Sequence, residues 1–179
     1  MDRLSEIKVV EESAVIQVVD VIVNATNAML MSGGGICGGI FRRAGYVELN
    51  NACRTNNLPI DVGSSVITPA FNITNAKYII HAVGPDFGKI PNAFDKLYSA
   101  YYNSLSLMKE YGLHSIAFPL ISAGIYAGNL QNPIANSITY CKKAYEDFTK
   151  EYADYDIEVR ICAFSEEERK VARGIEDLD

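Results

Sequence analysis

Runs of β-branched and apolar residues alternate along this chain with segments of helical periodicity, and few architectures accommodate that order. "IKVV" (7–10) and "AVIQVVDVIVN" (14–24) are predicted strands. The second scarcely alternates in polarity, as expected of a strand buried on both faces. Residues 36–56 are predicted as a helix, with Ile36, Ile40, Ala44, Val47 and Cys53 along one face. "SVITPAF" (65–71) and "AKYIIHAVGP" (76–85) are predicted strands joined by the turn "NITN". Residues 90–112 begin at a Pro and end at a Gly, the punctuation of a helix. A strand (114–121), an amphipathic helix (130–153) and a strand (157–164) follow. Ser165 and Glu168 then stand at capping-box spacing before a last helix. Such alternation implies an α/β layered fold with a mostly parallel or mixed sheet. No linker or repeat interrupts residues 1–179, so one domain is expected. Ligands of such sheets bind beyond the carboxyl ends of strands. That singles out three strand exits: Asn24–Gly39, Gly84–Phe87 and Ile121–Gly128.

The net charge of −6 excludes a broad electrostatic grip on nucleic acid, which needs many Lys and Arg on one face. It does not exclude a small anion, because main-chain amides and helix N-termini bind phosphate without net positive charge. No run approaches the ~18 apolar residues of a membrane span, and the N-terminus lacks a signal-peptide pattern, so a cytoplasmic protein without membrane partners is expected. Cys37, Cys53, Cys141 and Cys162 form no CxxC and only two histidines accompany them, so reduced thiols, no metal and no cofactor are expected.

"NATNAMLMSGGGICGGIFRRAG" (24–45) holds five glycines between Gly33 and Gly39. Gly33 to Gly38 formally fit G-x-G-x-x-G. A dinucleotide fingerprint, however, needs its first glycine close behind a strand and an acidic residue at the end of the next. Eight residues separate Asn24 from Gly33, and Asp61 lies in a Pro/Gly loop, which argues against a Rossmann-type dehydrogenase. A glycine-rich turn feeding a helix instead offers free N–H groups and a partial positive charge of roughly +0.5. A phosphate or diphosphate is the natural guest. "PLISAGIYAG" (119–128) repeats the logic with Ser122, Ala123 and Gly124 at a strand exit, followed by Ile125 and Tyr126.

Taken together, "VDVIVNATN", "GGGICGGIFRRAG", "IIHAVGP" and "SIAFPLISAGIYAG" resemble the macro domain family, in particular its MacroD-type group. The resemblance runs from about Asp20 to Phe164. It implies a three-layer α/β/α sandwich around a mixed sheet that binds ADP-ribose. It also implies ADP-ribosylated substrates: modified protein side chains, O-acetyl-ADP-ribose or ADP-ribose 1″-phosphate. By that resemblance Asn27 hydrogen-bonds the distal ribose, Asn24 holds the loop, and Asp20, inside the strand motif, is structural. Gly33, Gly34, Gly35 and Ile36 wrap the ribose and diphosphate. Ser122, Ala123, Gly124, Ile125 and Tyr126 form the second phosphate loop, and Phe164 lies against adenine.

Two departures matter. Cys37 stands where MacroD-type hydrolases carry an Asp credited with orienting water, and Phe41 where they carry His. A thiol is a poor general base at neutral pH. Cys37 is therefore a nucleophile, a redox-sensitive residue, or a small residue that fits beside the ribose; some viral members share it. Upstream, the family's adenine-reading Asp falls at Ser13, with Glu12 one residue away. His81 is expected to be a hydrogen-bonded core residue, and His114, Arg42 and Arg43 to lie on the surface. The expected activity is ADP-ribosyl hydrolysis with Asn27 and Cys37 in the catalytic positions. The alternative is an ADP-ribose reader without catalysis.

Overall fold

The structure, a computed structural model, describes residues 4–178; residues 1–3 and 179 of the expected domain lie outside the described residues. Six strands form one sheet: β1 (Glu6–Val10), β2 (Val21–Thr26), β3 (Ser65–Pro69), β4 (Tyr78–Val83), β5 (Ser115–Phe118) and β6 (Glu158–Cys162). Their order is β1-β6-β5-β2-β4-β3, with every pairing parallel except the antiparallel β3–β4. Five helices cover it: α1 (Gly35–Ala44), α2 (Tyr46–Arg54), α3 (Ala93–Glu110), α4 (Pro133–Glu151) and α5 (Glu166–Leu178).

The period of two along each strand sorts the core. Val21 and Val23 of β2, with Ile80 and Ala82 of β4, pack under Leu97, Tyr101 and Leu105 of α3 and Ile138 and Phe148 of α4. Ile22, Ile79 and Val83 face the other way, against Cys37, Ile40 and Phe41 of α1 and Leu49 and Cys53 of α2. The central strands are thus apolar on both faces, and the result is a three-layer α/β/α sandwich with a mixed sheet.

Two sequence expectations are corrected. Residues 14–24 are not one strand. Ser13 accepts a hydrogen bond from Val15 N at 3.2 Å and starts a 3-10 turn over Ala14–Ile16, so β2 begins only at Val21. Residues 36–56 are not one helix either. Gly45 adopts φ +106°, where α1 stops and α2 starts, and a Cβ there would meet the Glu48 carboxylate at 2.0 Å. The break turns Val47 out to solvent, off the face expected of it. The remaining elements match their expected positions to within a few residues. The capping box forms: Ser165 Oγ accepts from Glu168 N at 3.0 Å, and Glu168 Oε1 accepts from Phe164 N and Ser165 N.

Candidate active site

β2, β4 and β5 run parallel, so their carboxyl ends emerge together at one edge of the sheet. A cleft of about 520 Å³ opens there, a size ordinary for a small-molecule site. One wall is the exit of β2 and the start of α1: Thr26, Asn27, Met31, Gly33, Gly34, Gly35 and Cys37. The other is the exit of β5: Leu120, Ile121, Ser122, Gly124, Ile125 and Tyr126, with Gly84, just past β4, against Ile121 and Ser122. None of the lining residues carries a formal charge. Whatever anion enters must be held by main-chain and neutral side-chain donors.

The five glycines of the first wall have separate physical reasons. Gly35 needs its φ of +60° to turn the chain into α1. Gly38 lies inside the helix, and a Cβ there would sit 2.4 Å from Gly33 O. Gly33 and Gly34 have neither constraint: their φ values are ordinary and the space beside them is open. Nothing in the structure explains Gly39, whose added Cβ would make only a 3.9 Å contact. α1 begins with Gly34 as N-cap and has no side-chain cap, so its first-turn N–H groups are left for a ligand or water.

Asn27 leaves β2 and turns its amide to local work. Its Oδ1 accepts from Met29 N at 3.1 Å and Met31 N at 3.2 Å, while its Nδ2 has no partner among the described residues. Below it lies a buried polar stack on the α1 side of the sheet. Asn24 Nδ2 lies 3.1 Å from His81 Nδ1 and donates to Cys37 Sγ at 3.6 Å, and His81 Nε2 lies 2.9 Å from Thr68 Oγ1. With Nδ1 accepting from the Asn24 amide, Nε2 carries the ring proton and donates to Thr68. Burial pushes the His81 pKa down to about 4, so the ring is neutral at pH 7. His81 is therefore held in the core, as its sequence context predicts.

Cys37 is only 6% exposed. Its thiol lies 3.4 Å from Met31 O, to which it donates, and 3.9 Å from Thr26 Oγ1. The sulfur reaches into the wall, against the same residues that shape Asn27.

The second wall is fixed differently. Ser122 adopts φ +60° and its Oγ donates to Pro85 O at 2.7 Å. Behind it Ile121 sits in a closed circuit. Ile121 N donates to Tyr101 Oη at 3.0 Å, Ser137 Oγ donates to Ile121 O at 2.7 Å, and Tyr101 Oη lies 2.6 Å from Ser137 Oγ. Since the Ser137 proton goes to Ile121 O, the Tyr101 hydroxyl supplies the third bond. Ile125 is 96% exposed at the tip of this loop.

Of the residues singled out from sequence, Asn27, Gly33, Gly34, Gly35, Cys37, Ser122, Gly124, Ile125 and Tyr126 line the cleft; Ile36 lies in the first turn of α1 and Ala123 between Ser122 and Gly124. Asn24 lies beneath, fully buried. Ser13 and Phe164 are not among the lining residues. Ser13 follows β1 and caps the 3-10 turn; Phe164, 65% exposed, follows β6. Both nonetheless lie past carboxyl ends on the same edge of the sheet. Glu12, Arg42 and Arg43 are exposed. His114 lies at the opposite, amino end of β5, its Nδ1 on Asp156 O and its ring stacked on Tyr155. Asp20 supports that same end: its Oδ2 accepts from His114 N and Ser115 N. Sequence reasoning did not single out Thr26, Met31 or Leu120. Each adjoins a motif already marked, so position beside a strand exit was the available signal.

The family description "Macro domain" matches residues 23–135. A macro domain-containing protein of Caldanaerobacter subterraneus is 36% identical over 178 residues, 97% of this chain and 98% of that protein. An O-acetyl-ADP-ribose deacetylase of Escherichia fergusonii is 42% identical over 139 residues, 75% of each. An uncharacterized protein of Fusobacterium nucleatum is 49% identical over 109 residues, and the match spans only 61% of its length. Among solved structures, the Oceanobacillus iheyensis macrodomain with ADP superposes with a TM-score of 0.85 at 30% identity, covering 98% of this chain and 92% of that one. Full-length similarity, the matched segment and the two-loop cleft agree: the chain belongs to the macro domain family.

Proposed function

We propose that the cleft binds ADP-ribose and that the chain hydrolyses ADP-ribose adducts. One observation carries the binding half: a cleft without a charged lining residue, opening beside Gly33, Gly34 and the uncapped start of α1. A doubly charged diphosphate fits such a wall because oriented N–H dipoles act strongly where few water molecules compete. In this reading Asn27 Nδ2 and Tyr126 flank the distal ribose. The adenosine end runs across the carboxyl edge past β5 toward Phe164. A solved macrodomain with ADP and a related deacetylase of O-acetyl-ADP-ribose support this assignment.

For hydrolysis, a water oxygen forms a bond to C1″ of the distal ribose as the bond from C1″ to the acceptor oxygen breaks. The acceptor leaves as a carboxylate, and the water's extra proton passes to solvent. A carboxylate of solution pKa near 4 leaves without a general acid, which suits a cleft with no carboxylate and no exposed histidine. The gain in rate comes from orientation and fixed dipoles. Cys37, whose thiol donates to Met31 O, belongs to the wall in this scheme.

That same absence of a base favours a second reading, a reader that binds ADP-ribose without cleaving its adducts. Isothermal titration with ADP-ribose tests binding. Incubating the same sample with a Glu-linked ADP-ribosylated protein then separates the two. Release of free ADP-ribose establishes the hydrolase; binding with no release above the uncatalysed rate establishes the reader. No binding in titration overturns both.

A further inference from the structure

Arg54 has no place in the cleft, yet it grips the strand exit on which Asn27 sits. From the last turn of α2 its Nη2 donates to Met29 O at 2.5 Å and to Leu30 O at 2.9 Å. These are two of four consecutive carbonyls engaged by groups outside the segment. Ala28 O accepts from Ile60 N at 2.8 Å, and Met31 O accepts from the Cys37 thiol at 3.4 Å. The segment needs holding. Leu30 is buried in the left-handed region at φ +52°, a conformation a branched side chain adopts at a cost. Its N–H is already bound to Asn27 O, and the Met29 and Met31 amides both point at Asn27 Oδ1. The Asn27 carboxamide is therefore directed by two N–H groups: that of Met29 shares its peptide unit with Ala28 O, which Ile60 holds, and that of Met31 shares its unit with Leu30 O, which Arg54 holds.

We propose that Arg54 is a positioning residue of the ligand site. By clamping the Met29 and Leu30 carbonyls it holds the peptide units that carry the Leu30 and Met31 amides, aims these at Asn27 O and Asn27 Oδ1, and so fixes the Asn27 Nδ2 donor in the cleft. The contribution to binding rests on the ADP-ribose reading above; the orientation of the segment does not. A guanidinium suits the task because one nitrogen with two hydrogens spans two adjacent carbonyls. The ammonium of a lysine satisfies the pair with poorer geometry.

The test is a double-mutant cycle on the full chain, with Arg54→Ala, Asn27→Ala and the pair, read by ADP-ribose titration calorimetry. Amide hydrogen exchange of the ligand-free proteins runs alongside. Arg54→Ala is expected to weaken ADP-ribose binding at least fivefold in the parent and less than twofold once Asn27 is Ala. Exchange at Leu30 and Met31 is expected to quicken at least tenfold in Arg54→Ala, with Ile121 on the opposite wall unchanged. Arg54→Lys is expected to recover part of both effects, and it carries the comparison if the alanine variant fails to fold. An equal loss of affinity in both Asn27 backgrounds, or unaltered exchange at Leu30 and Met31, overturns the proposal. Should the parent bind no ADP-ribose, the functional reading falls, while the ligand-free exchange still decides whether Arg54 orients the segment.

Discussion

The two walls of the cleft offer the same chemistry on different foundations. The Asn27–Cys37 wall is made permissive by glycine, then held from outside by an exposed guanidinium, a thiol and a side-chain amide. Beneath it lies a buried, titratable stack of Asn24, His81 and Thr68. The Ile121–Tyr126 wall takes its left-handed turn on a serine and is anchored to the core by a neutral circuit of Tyr101, Ser137 and the Ile121 peptide. Burial pushes the Tyr101 phenol far above its usual range, so that circuit does not titrate in acid. Two ways of fixing the backbone beside one cleft thus differ in what breaks them. The first yields to acid and to loss of a surface cation, the second to core substitutions.

Acid is expected to break the comparison most strongly. The His81 pKa is about 4 in the fold against 6.5 in the unfolded chain. The neutral ring's contribution is therefore complete above pH 6.5 and is lost as pH falls toward 4. The gap between the two values corresponds to a loss of about 3 kcal/mol. Urea unfolding at pH 7, 5.5 and 4 measures it, and amide exchange at pH 4 should quicken under α1 before it quickens around Ile121. His81→Phe should flatten this slope despite lower stability at pH 7.

Next comes Gly38→Ala. The added Cβ meets a backbone oxygen of Gly33, not a side chain that can swing away, so a loss of about 2 kcal/mol is expected despite the better helix propensity of alanine. Displacing Gly33 should weaken ADP-ribose binding as well, which titration calorimetry reads. Tyr101→Phe removes the hydroxyl that accepts from Ile121 N and donates to Ser137. A buried N–H left without a partner costs about 1 to 2 kcal/mol, and the Ile121 amide should lose its exchange protection while Met29 and Met31 keep theirs. The smallest stability effect belongs to Gly34→Ala. Its Cβ enters open space, so stability should stay within about 0.5 kcal/mol of the parent. Affinity for ADP-ribose should nonetheless drop about tenfold, roughly 1.4 kcal/mol, because the methyl occupies ligand space. Unchanged affinity in Gly34→Ala would separate that glycine from the ligand.

How far residue order carries can be judged from particular elements. Ser165 and Glu168 predict their capping box because both partners lie within one turn. β2 and β4 are legible as buried strands from apolar runs. The break at Gly45 had a local signal, a glycine inside a helical pattern, yet the apolar face on either side masked it. Residues 14–20 look like strand by composition, but the Ser13 hydroxyl, two residues before the Val15 N–H, competes with the strand ladder and wins. Arg54 left no signal at all. It lies in the last turn of a helix and contacts carbonyls 24 and 25 residues earlier, and nothing local distinguishes it from a solvated arginine. Tyr101, Ser137 and Ile121 are likewise brought together across 16 to 36 residues only by the packing of α3 and α4 on β5.

Residue order alone was enough for the layered α/β architecture, the edge of the sheet where the cleft opens and the glycine turn that leads into α1. These depend on periodicity, on the permitted φ of single residues and on the direction of parallel strands, all of which are written locally. Packing decided which glycines serve the protein and which face open space, where the Cys37 thiol points and what aims Asn27. Those outcomes depend on groups far apart in the chain meeting within about 3 Å, a distance that exists only once the sheet has brought its crossovers together.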